Sequence, residues 1–350
     1  MNIPLLPILI ASITTFVAIF LLRPFAISIN LVDKPNNRKT HAGSVPLIGG
    51  IAMFLGIVVS ILAAQIDLNQ YNYFLLASLI IVIVGVLDDH HNIVVSLRIF
   101  FQVLVAVIIA SVGGVSLESF GNLLGSGDII LGEWGYFFTV IAIIGGMNAL
   151  NMLDGIHGLA GGSSFITFLA IIFLSMGSVV IHHTSLMIAI LFCSVLPVFL
   201  ISNLCIGISN NKRIFMGDAG SMLIGLAIVW LLIDLSQGEN RVFAPVTVLW
   251  LFAMPLFEMV TAILRRLTSG KSPFMPDLHH SHHILLRIGI KEKYTLLLML
   301  LASLLMAVIG ILGELYGIAE RVMFFGFLLV FGIHIYSYGV LVRNIQNNGK

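Results

Sequence analysis

Residues 3–22 read IPLLPILIASITTFVAIFLL, twenty residues without a charge, closed by Arg23. A helix needs about 20 mainly apolar residues to cross the roughly 30 Å hydrocarbon core of a bilayer, so this run is long enough to span. No Lys or Arg precedes Arg23 and no small-residue cleavage site stands out, both of which a secretory signal would want, so the run is expected to be a retained first span. Ten further runs of the same kind follow, near 46–64, 71–88, 97–115, 134–151, 162–181, 186–206, 219–236, 245–265, 294–313 and 321–341. Each is continuous, whereas a membrane β-strand would alternate over about ten residues. In lipid every backbone polar group must be satisfied internally, which leaves helices for such runs. The expected fold is all-α, a polytopic membrane bundle of about eleven transmembrane helices forming one integral domain over residues 1–350.

Composition excludes the alternatives. Of 350 residues, 59% are hydrophobic and 9% charged, with a mean hydropathy of +1.09. Ordinary soluble domains run about 45–50% apolar and about 25% charged, so a soluble globular enzyme and a disordered chain are both ruled out. Lys and Arg number 17 against 16 Asp and Glu, so no basic field exists to hold a nucleic acid. The two cysteines, Cys193 and Cys205, share one apolar run. Twelve helical residues put them roughly 18 Å apart, beyond disulfide reach.

An odd number of spans puts the termini on opposite sides. The side holding loop 23–45 and the carboxyl tail collects fifteen of the Lys and Arg residues, and the other keeps only Arg241 and Arg321. That asymmetry predicts a cytoplasmic carboxyl terminus and an amino terminus outside. The chemistry-bearing polar residues fall on the same cytoplasmic face.

Asp88 and Asp89 end the third run in VGVLDDHHN. Adjacent acids at a membrane boundary are costly unless solvated or paired, and read either as a helix-end stop or as a pair handling Mg²⁺ or phosphate. In NALNMLDGIHGLAGG (148–162), Asn148, Asn151 and Asp154 recur every three residues, near one another on a helical face, and the glycines that follow allow close backbone approach. Two amides and an acid exceed what a glycine-rich helix contact requires. FMGDAGSMLIG (215–225) sets Asp218 among small residues before the eighth run, where it is either an N-cap or part of a Mg²⁺–pyrophosphate turn. RRLTSGKSPFMPDLHHSHHILLR (265–287) combines Arg265, Arg266 and Lys271 with His279, His280, His282 and His283. No thiolate and no HExxH helix accompany the histidines, so anion binding suits them better than zinc. Loop 33–50 adds Arg38, Lys39 and His41. Glu258 is an acid within the ninth run and so a site candidate, while His334 reads as a helix-contact residue.

In order and spacing, VDKPNNRKTHAGSVPLIGG (32–50), the Asp88–Asp89 pair, NALNMLDGIHGLAGG, FMGDAGS and RRLTSGKSPFMPDLHHSHH resemble the polyprenyl-phosphate N-acetylhexosamine-1-phosphate transferase family. Within it they look like the WecA-type, undecaprenyl-phosphate N-acetylglucosaminyl 1-phosphate transferase branch. The resemblance covers nearly the whole chain. It implies transfer of GlcNAc-1-phosphate from UDP-GlcNAc to undecaprenyl phosphate with release of UMP, at the bacterial inner membrane, as the first step of O-antigen or a related surface glycan. It also implies Mg²⁺, with Mn²⁺ as a substitute, and membrane lipid as a partner, and it is compatible with a homodimer. By the same resemblance Asp88 handles or deprotonates the lipid phosphate, Asp89 assists near the metal and Asp218 is the metal ligand. Lys39, Asn148, Asn151, Asp154, His157, Arg265, His280, His282 and His283 would contact the substrates. Two positions depart from the family pattern: His157 stands where a second acid is usual, and Leu278 where an arginine is usual. Both touch the nucleotide-sugar region, which keeps a sister enzyme using UDP-QuiNAc, UDP-FucNAc or UDP-GalNAc as the alternative. An ion-coupled transporter is the alternative from another class. It would want midplane polar groups and paired broken helices in two halves, and the sequence offers one polar rim and no internal repeat.

Overall fold

The computed structural model describes residues 5–33, 43–68, 72–180, 182–272 and 279–348. Its helices are α1 (Leu5–Ser28), α2 (Gly49–Ala63), α3 (Asn72–His91), α4 (Val95–Val107, extended by a π-helical turn Ile108–Val112), α5 (Trp134–Leu153), α6 (Leu159–Gly177), α7 (His183–Leu204), α8 (Gly217–Ser236), α9 (Pro245–Leu251), α10 (Ala253–Thr268), α11 (Ser281–Arg287), α12 (Glu292–Leu315) and α13 (Glu320–Asn348). The only sheet among the described residues pairs β1 (Val32–Asp33) with β2 (Val45–Pro46), antiparallel. Among the described residues nine helices are long and apolar enough to cross a membrane, ten if the bent pair α9–α10 is counted as one broken span. The protein is an all-α multi-span membrane protein.

All eleven apolar runs are found as helix, with two differences from the expected spans. The second run yields only the 15-residue α2, because Val45 and Pro46 are drawn into the small sheet instead. The backbone there is stitched to the segment before α8: Phe215 N–H donates to the Pro46 carbonyl at 2.9 Å, and Gly49 N–H to the Phe215 carbonyl at 2.9 Å. The ninth run is not one span but two helices bent by 81° at Phe252. Pro255 has no N–H to offer the Leu251 carbonyl one turn back. Thr167 of α6 supplies the missing donor, its hydroxyl lying 2.9 Å from that carbonyl. A neighbouring helix thus satisfies the freed backbone group, as a break in a dry interior requires.

Hydrogen bonds between helix ends define two rims. On one rim meet the end of α1, the start of α2, the end of α3, the starts of α4 and α8 and the end of α5, with α11 beside them where His282 packs on Gly155. On the other, Ser60 near the end of α2 bonds the Pro7 carbonyl, Gln237 after α8 accepts from Glu118 and Ser119, and Glu314 at the end of α12 accepts from Ala244 and Thr247. Successive passages therefore alternate in direction.

At the centre stands α8, 94% of whose apolar window is buried, against 11% for α13. Its first turn lies backbone to backbone against two neighbours. A Cβ built on Gly50 would fall 2.5 Å from Gly220 Cα, and one on Gly85 only 2.9 Å from the Asp218 carbonyl carbon. Small residues substitute for side-chain packing where helices in lipid must approach closely. That closeness brings the start of α8 to the start of α2 and the end of α3, and it fixes where the polar residues meet.

Candidate active site

Asp88 and Asp89 sit at the carboxyl end of α3, where the helix dipole disfavours acids. Each finds compensation from another element. Asp88 is 8% exposed and pairs with Arg98, whose Nη1 lies 3.1 Å from its Oδ2. Asp89 accepts the backbone N–H of Asp218 at 2.9 Å and that of Ala219 at 3.4 Å. Met216, the residue before α8, gives no side-chain cap, so Asp89 caps α8 from the neighbouring helix. Gly217 makes this possible: its φ is +72°, and a Cβ there would sit 3.2 Å from Asp89 Cγ.

With its N–H capped, Asp218 projects into the same cluster. Asn151 Nδ2 donates to Asp218 Oδ1 at 2.7 Å and to Ser221 Oγ at 3.0 Å. Arg98 Nη1 is 3.8 Å from Asp218 Oδ2, so one guanidinium serves two carboxylates. Three carboxyl groups thus share one guanidinium among the described residues at the ends of α3, α5 and α8.

The remaining residues singled out from the sequence divide. Asp154 caps the end of α5 and is exposed. The next residue, Gly155, packs on the His282 ring, which is wholly buried. His157 Nε2 accepts from Arg213 Nη1 at 2.7 Å, and its ring lies 5.2 Å from that of Phe215. His280, His282 and His283 stand together on and beside α11, with ring centroids 5.6 Å apart for the first two and 4.2 Å for the last two.

Three expectations change. Asn148 does not present its amide to the cluster: Nδ2 donates to Gln102 Oε1 at 2.8 Å and to the Ile144 carbonyl at 2.8 Å, inside the bundle. Arg265 turns toward α13, where it donates to the Tyr338 hydroxyl at 2.7 Å and to the His279 carbonyl. His282 is wholly buried rather than open to a substrate. Burial, helped by neighbouring His283, pulls its pKa from 6.5 to about 3, and neither ring nitrogen has a hydrogen-bond partner among the described residues. Lys39, Arg38, His41 and Leu278 lie outside the described residues.

Arg98, Gln102, Ser221 and Arg213 were not singled out from sequence as site residues. A signal for Arg98 was present, since only three residues separate α3 from α4. So short a turn sets a cation one turn into α4 against the acids that end α3.

Among the described residues no group of three or more His, Cys, Asp or Glu side chains is arranged to hold a metal. The donor set nevertheless fits Mg²⁺, which is bound through one or two carboxylates plus substrate phosphates rather than by an all-protein cage. Asp88 and Asp218 would supply the hard oxygen donors to such an ion, while Asp89 has both oxygens committed to backbone N–H groups. A cavity of about 550 Å³ opens on the opposite rim, lined by Thr247, Glu314, Glu320 and Met323 among others, away from these acids.

The family model described as glycosyl transferase family 4 matches residues 71–236, which run from α3 through α8 and hold the acid cluster. Similar proteins include three named undecaprenyl-phosphate alpha-N-acetylglucosaminyl 1-phosphate transferase. The one from Yersinia pestis is 39% identical over 324 residues, covering 91% of this chain and 87% of its own. That of Haemophilus influenzae is 40% identical over 335 residues, covering 95% and 93%. The Escherichia coli (strain K12) protein is 38% identical over 332 residues, covering 93% and 89%. Similarity at this level along almost the entire length, with the acid cluster inside the matched segment, means that this chain belongs to glycosyl transferase family 4.

Proposed function

We propose that this protein transfers GlcNAc-1-phosphate from UDP-GlcNAc to undecaprenyl phosphate, giving undecaprenyl-diphosphate-GlcNAc and UMP, as the first step of O-antigen or a related surface glycan. The whole chain acts as one domain in a bacterial inner membrane, with its amino terminus outside and the acid rim in the cytoplasm. The charge asymmetry supports that orientation. Arg23, Arg98, Arg213 and Arg265 make their contacts on the acid rim, whereas Arg241 pairs with Glu320 and Asp128 on the other.

One observation carries the reading. Asp88, Arg98, Asp218, Asn151 and Asp89 form a single polar cluster at converging helix ends of a membrane bundle. A lipid-linked phosphate cannot leave the bilayer and a nucleotide-sugar cannot enter it, so their reaction belongs at such a rim.

Phosphoryl transfer demands in-line placement and neutralisation of charge more than covalent help from the protein. Mg²⁺, or Mn²⁺ in its place, bound at Asp88 and Asp218, would offset pyrophosphate charge. Arg98 holds the two carboxylates at fixed spacing and contributes the cluster's own cation. Asn151 sets the rotamer of Asp218, and Asp89 fixes the start of α8 beneath it. Asp154 and His283 on the adjoining loop and helix face the donor, and Lys39 assists from loop 33–50. A phosphate monoester has a second pKa near about 6 and is largely dianionic at neutral pH. Because Asp88 is already committed to Arg98, its role is to place the acceptor phosphate rather than to remove a proton.

The test is a membrane assay with radiolabelled UDP-GlcNAc and undecaprenyl phosphate, scoring lipid-linked product and its reversal by UMP, with other UDP-N-acetylhexosamines as competitors. Labelled product that UMP reverses is expected. Stronger competition from UDP-QuiNAc, UDP-FucNAc or UDP-GalNAc than from unlabelled UDP-GlcNAc would move the assignment to a sister transferase, and no transfer from any of them would refute it.

A further inference from the structure

Glu258 lies in α10, three residues beyond the proline of the broken span, and is 2% exposed. An acid this deep in a membrane bundle costs several kcal/mol in desolvation unless it is well used. Its Oε2 accepts the Ser281 backbone N–H at 3.0 Å and faces His280 Nδ1 at 3.4 Å. Both partners belong to the segment that opens α11.

From His280 the contacts continue toward the loop assigned to the donor. The His280 ring is 7% exposed and lies nearly parallel to that of His282, with centroids 5.6 Å apart and planes 6° apart. His282 is packed on Gly155, the residue after Asp154, and its ring lies 4.2 Å from that of His283, centroid to centroid. A rigid path of rings therefore connects a carboxylate inside the bundle to the α5–α6 loop. His279 is held from a second side, its carbonyl accepting the Tyr338 hydroxyl at 2.7 Å.

A cap on Ser281 alone would not require a charge, since an amide or hydroxyl oxygen serves that purpose. The carboxylate adds something only a charge gives, which is a fixed partner for one nitrogen of His280. With Nδ1 directed at Glu258, the ring's orientation is set and Nε2 is turned away from the acid. A carboxylate orienting an imidazole in this way is a recurrent device for holding a functional histidine in register.

We infer that Glu258 is a positioning residue for the nucleotide-sugar donor, acting through His280 and the stacked histidines on the loop that carries Asp154. This rests on the transferase reading above for the identity of the donor. The acid is separate from the Asp88–Asp218 cluster, so it acts on donor binding and leaves the lipid acceptor alone.

The test is a double-mutant cycle of Glu258→Gln and His280→Asn in purified full-length protein, with KM and kcat measured separately for UDP-GlcNAc and undecaprenyl phosphate. Glutamine keeps an oxygen for Ser281 and loses the charge that faces His280. The expected result is a rise of about tenfold or more in donor KM for each single variant, an unchanged acceptor KM, and no further loss in the double variant. A merely structural acid would lower kcat and disturb both substrates together. Losses that multiply in the double variant, or donor and acceptor KM rising in parallel, would overturn the inference. If Glu258→Gln does not fold, Glu258→Asp replaces it. The side chain shortened by one methylene reaches Ser281 or His280 but not both, and donor KM must still rise selectively. The wild-type protein run alongside separates the two ideas: no transfer by it from any UDP-N-acetylhexosamine refutes both, whereas an active wild type with uncoupled variants refutes only the role of Glu258.

Discussion

Gly155→Ala isolates the contact that joins the two halves of the site. A Cβ at position 155 would lie 2.5 Å from His282 Cε1 and 2.9 Å from its Cδ2. Carbon atoms at rest stay about 3.5 Å or more apart, and His282 Nε2 would be closer still, so the ring or the loop must retreat by at least about 1 Å. The ring has little room to do so, because His282 is 0% exposed. Overpacking of this size typically costs about 1–3 kcal/mol of stability. The larger effect falls on catalysis, where a displacement of about 1 Å at a positioned group is worth about 100-fold in rate. The assay is donor kcat/KM together with the thermal midpoint of the purified variant, and the expected outcome is a loss of about 100-fold with Tm lowered by a few degrees. The decisive arm is Gly155→Ala combined with His282→Ala, which removes the ring the new methyl would strike. Stability should return toward that of His282→Ala alone. If Gly155→Ala is silent, or if the second substitution relieves nothing, the packing of α11 on the α5–α6 loop is not as described.

Other expectations follow from the same contacts. Arg98→Gln leaves Asp88 and Asp218 without their shared cation; breaking a buried pair costs about 3–5 kcal/mol, and the partial exposure of Arg98 and Asp218 brings this toward the lower end, readable as a fall in Tm with loss of transfer. Asp89→Asn sets an amide N–H against one of the α8 backbone donors and should lower Tm, whereas Asp218→Asn should leave Tm near wild type while weakening the Mg²⁺ dependence of transfer; equal Tm losses would contradict the division of roles. His282 titrates at about 3 in the folded protein against an ordinary 6.5, so its contribution to stability is complete above pH 6.5 and declines as pH falls toward 3. That amounts to about 2 kcal/mol at pH 5, seen as a drop in Tm between pH 7 and pH 5 that His282→Asn should flatten.

Reading the sequence located every apolar run, because a bilayer imposes one length on whatever crosses it. It could not foresee what happens inside two of them. Pro255 is visible, but an 81° bend is tolerable only because Thr167, some 88 positions earlier, reaches the Leu251 carbonyl. The three-residue spacing of Asn148, Asn151 and Asp154 shows a different failure. Each step of three turns a helix by about 60° short of a full revolution, so the first and last members diverge by about 120°. Asn151 reaches Asp218, and Asn148 is left facing Gln102. Arg98 carries no distinguishing signal in its charge alone, because a cation at a span's end already has an explanation in the orientation rule. The acids drew notice for the opposite reason, being expensive where they stand.

That expense also explains how the cluster is shared out. The start of α8 must be both dry on its packed side and open toward the rim, since Gly50 and Gly85 bring two other backbones against it. Its first N–H groups cannot all turn to water, and no side chain of its own caps them. Asp89 meets that need from α3, and its charge is offset by the positive end of the α8 dipole. Asp88, one residue earlier, points to another side and takes Arg98. Two adjacent carboxylates are thereby separated into one that caps α8 and one that pairs with Arg98, and Asp218 stands where both sets of contacts meet. The close packing of α3 on α8 and the placing of the clustered acids are consequently one requirement: a residue bulkier than glycine at position 85 would separate the two helices and carry Asp88 and Asp218 apart.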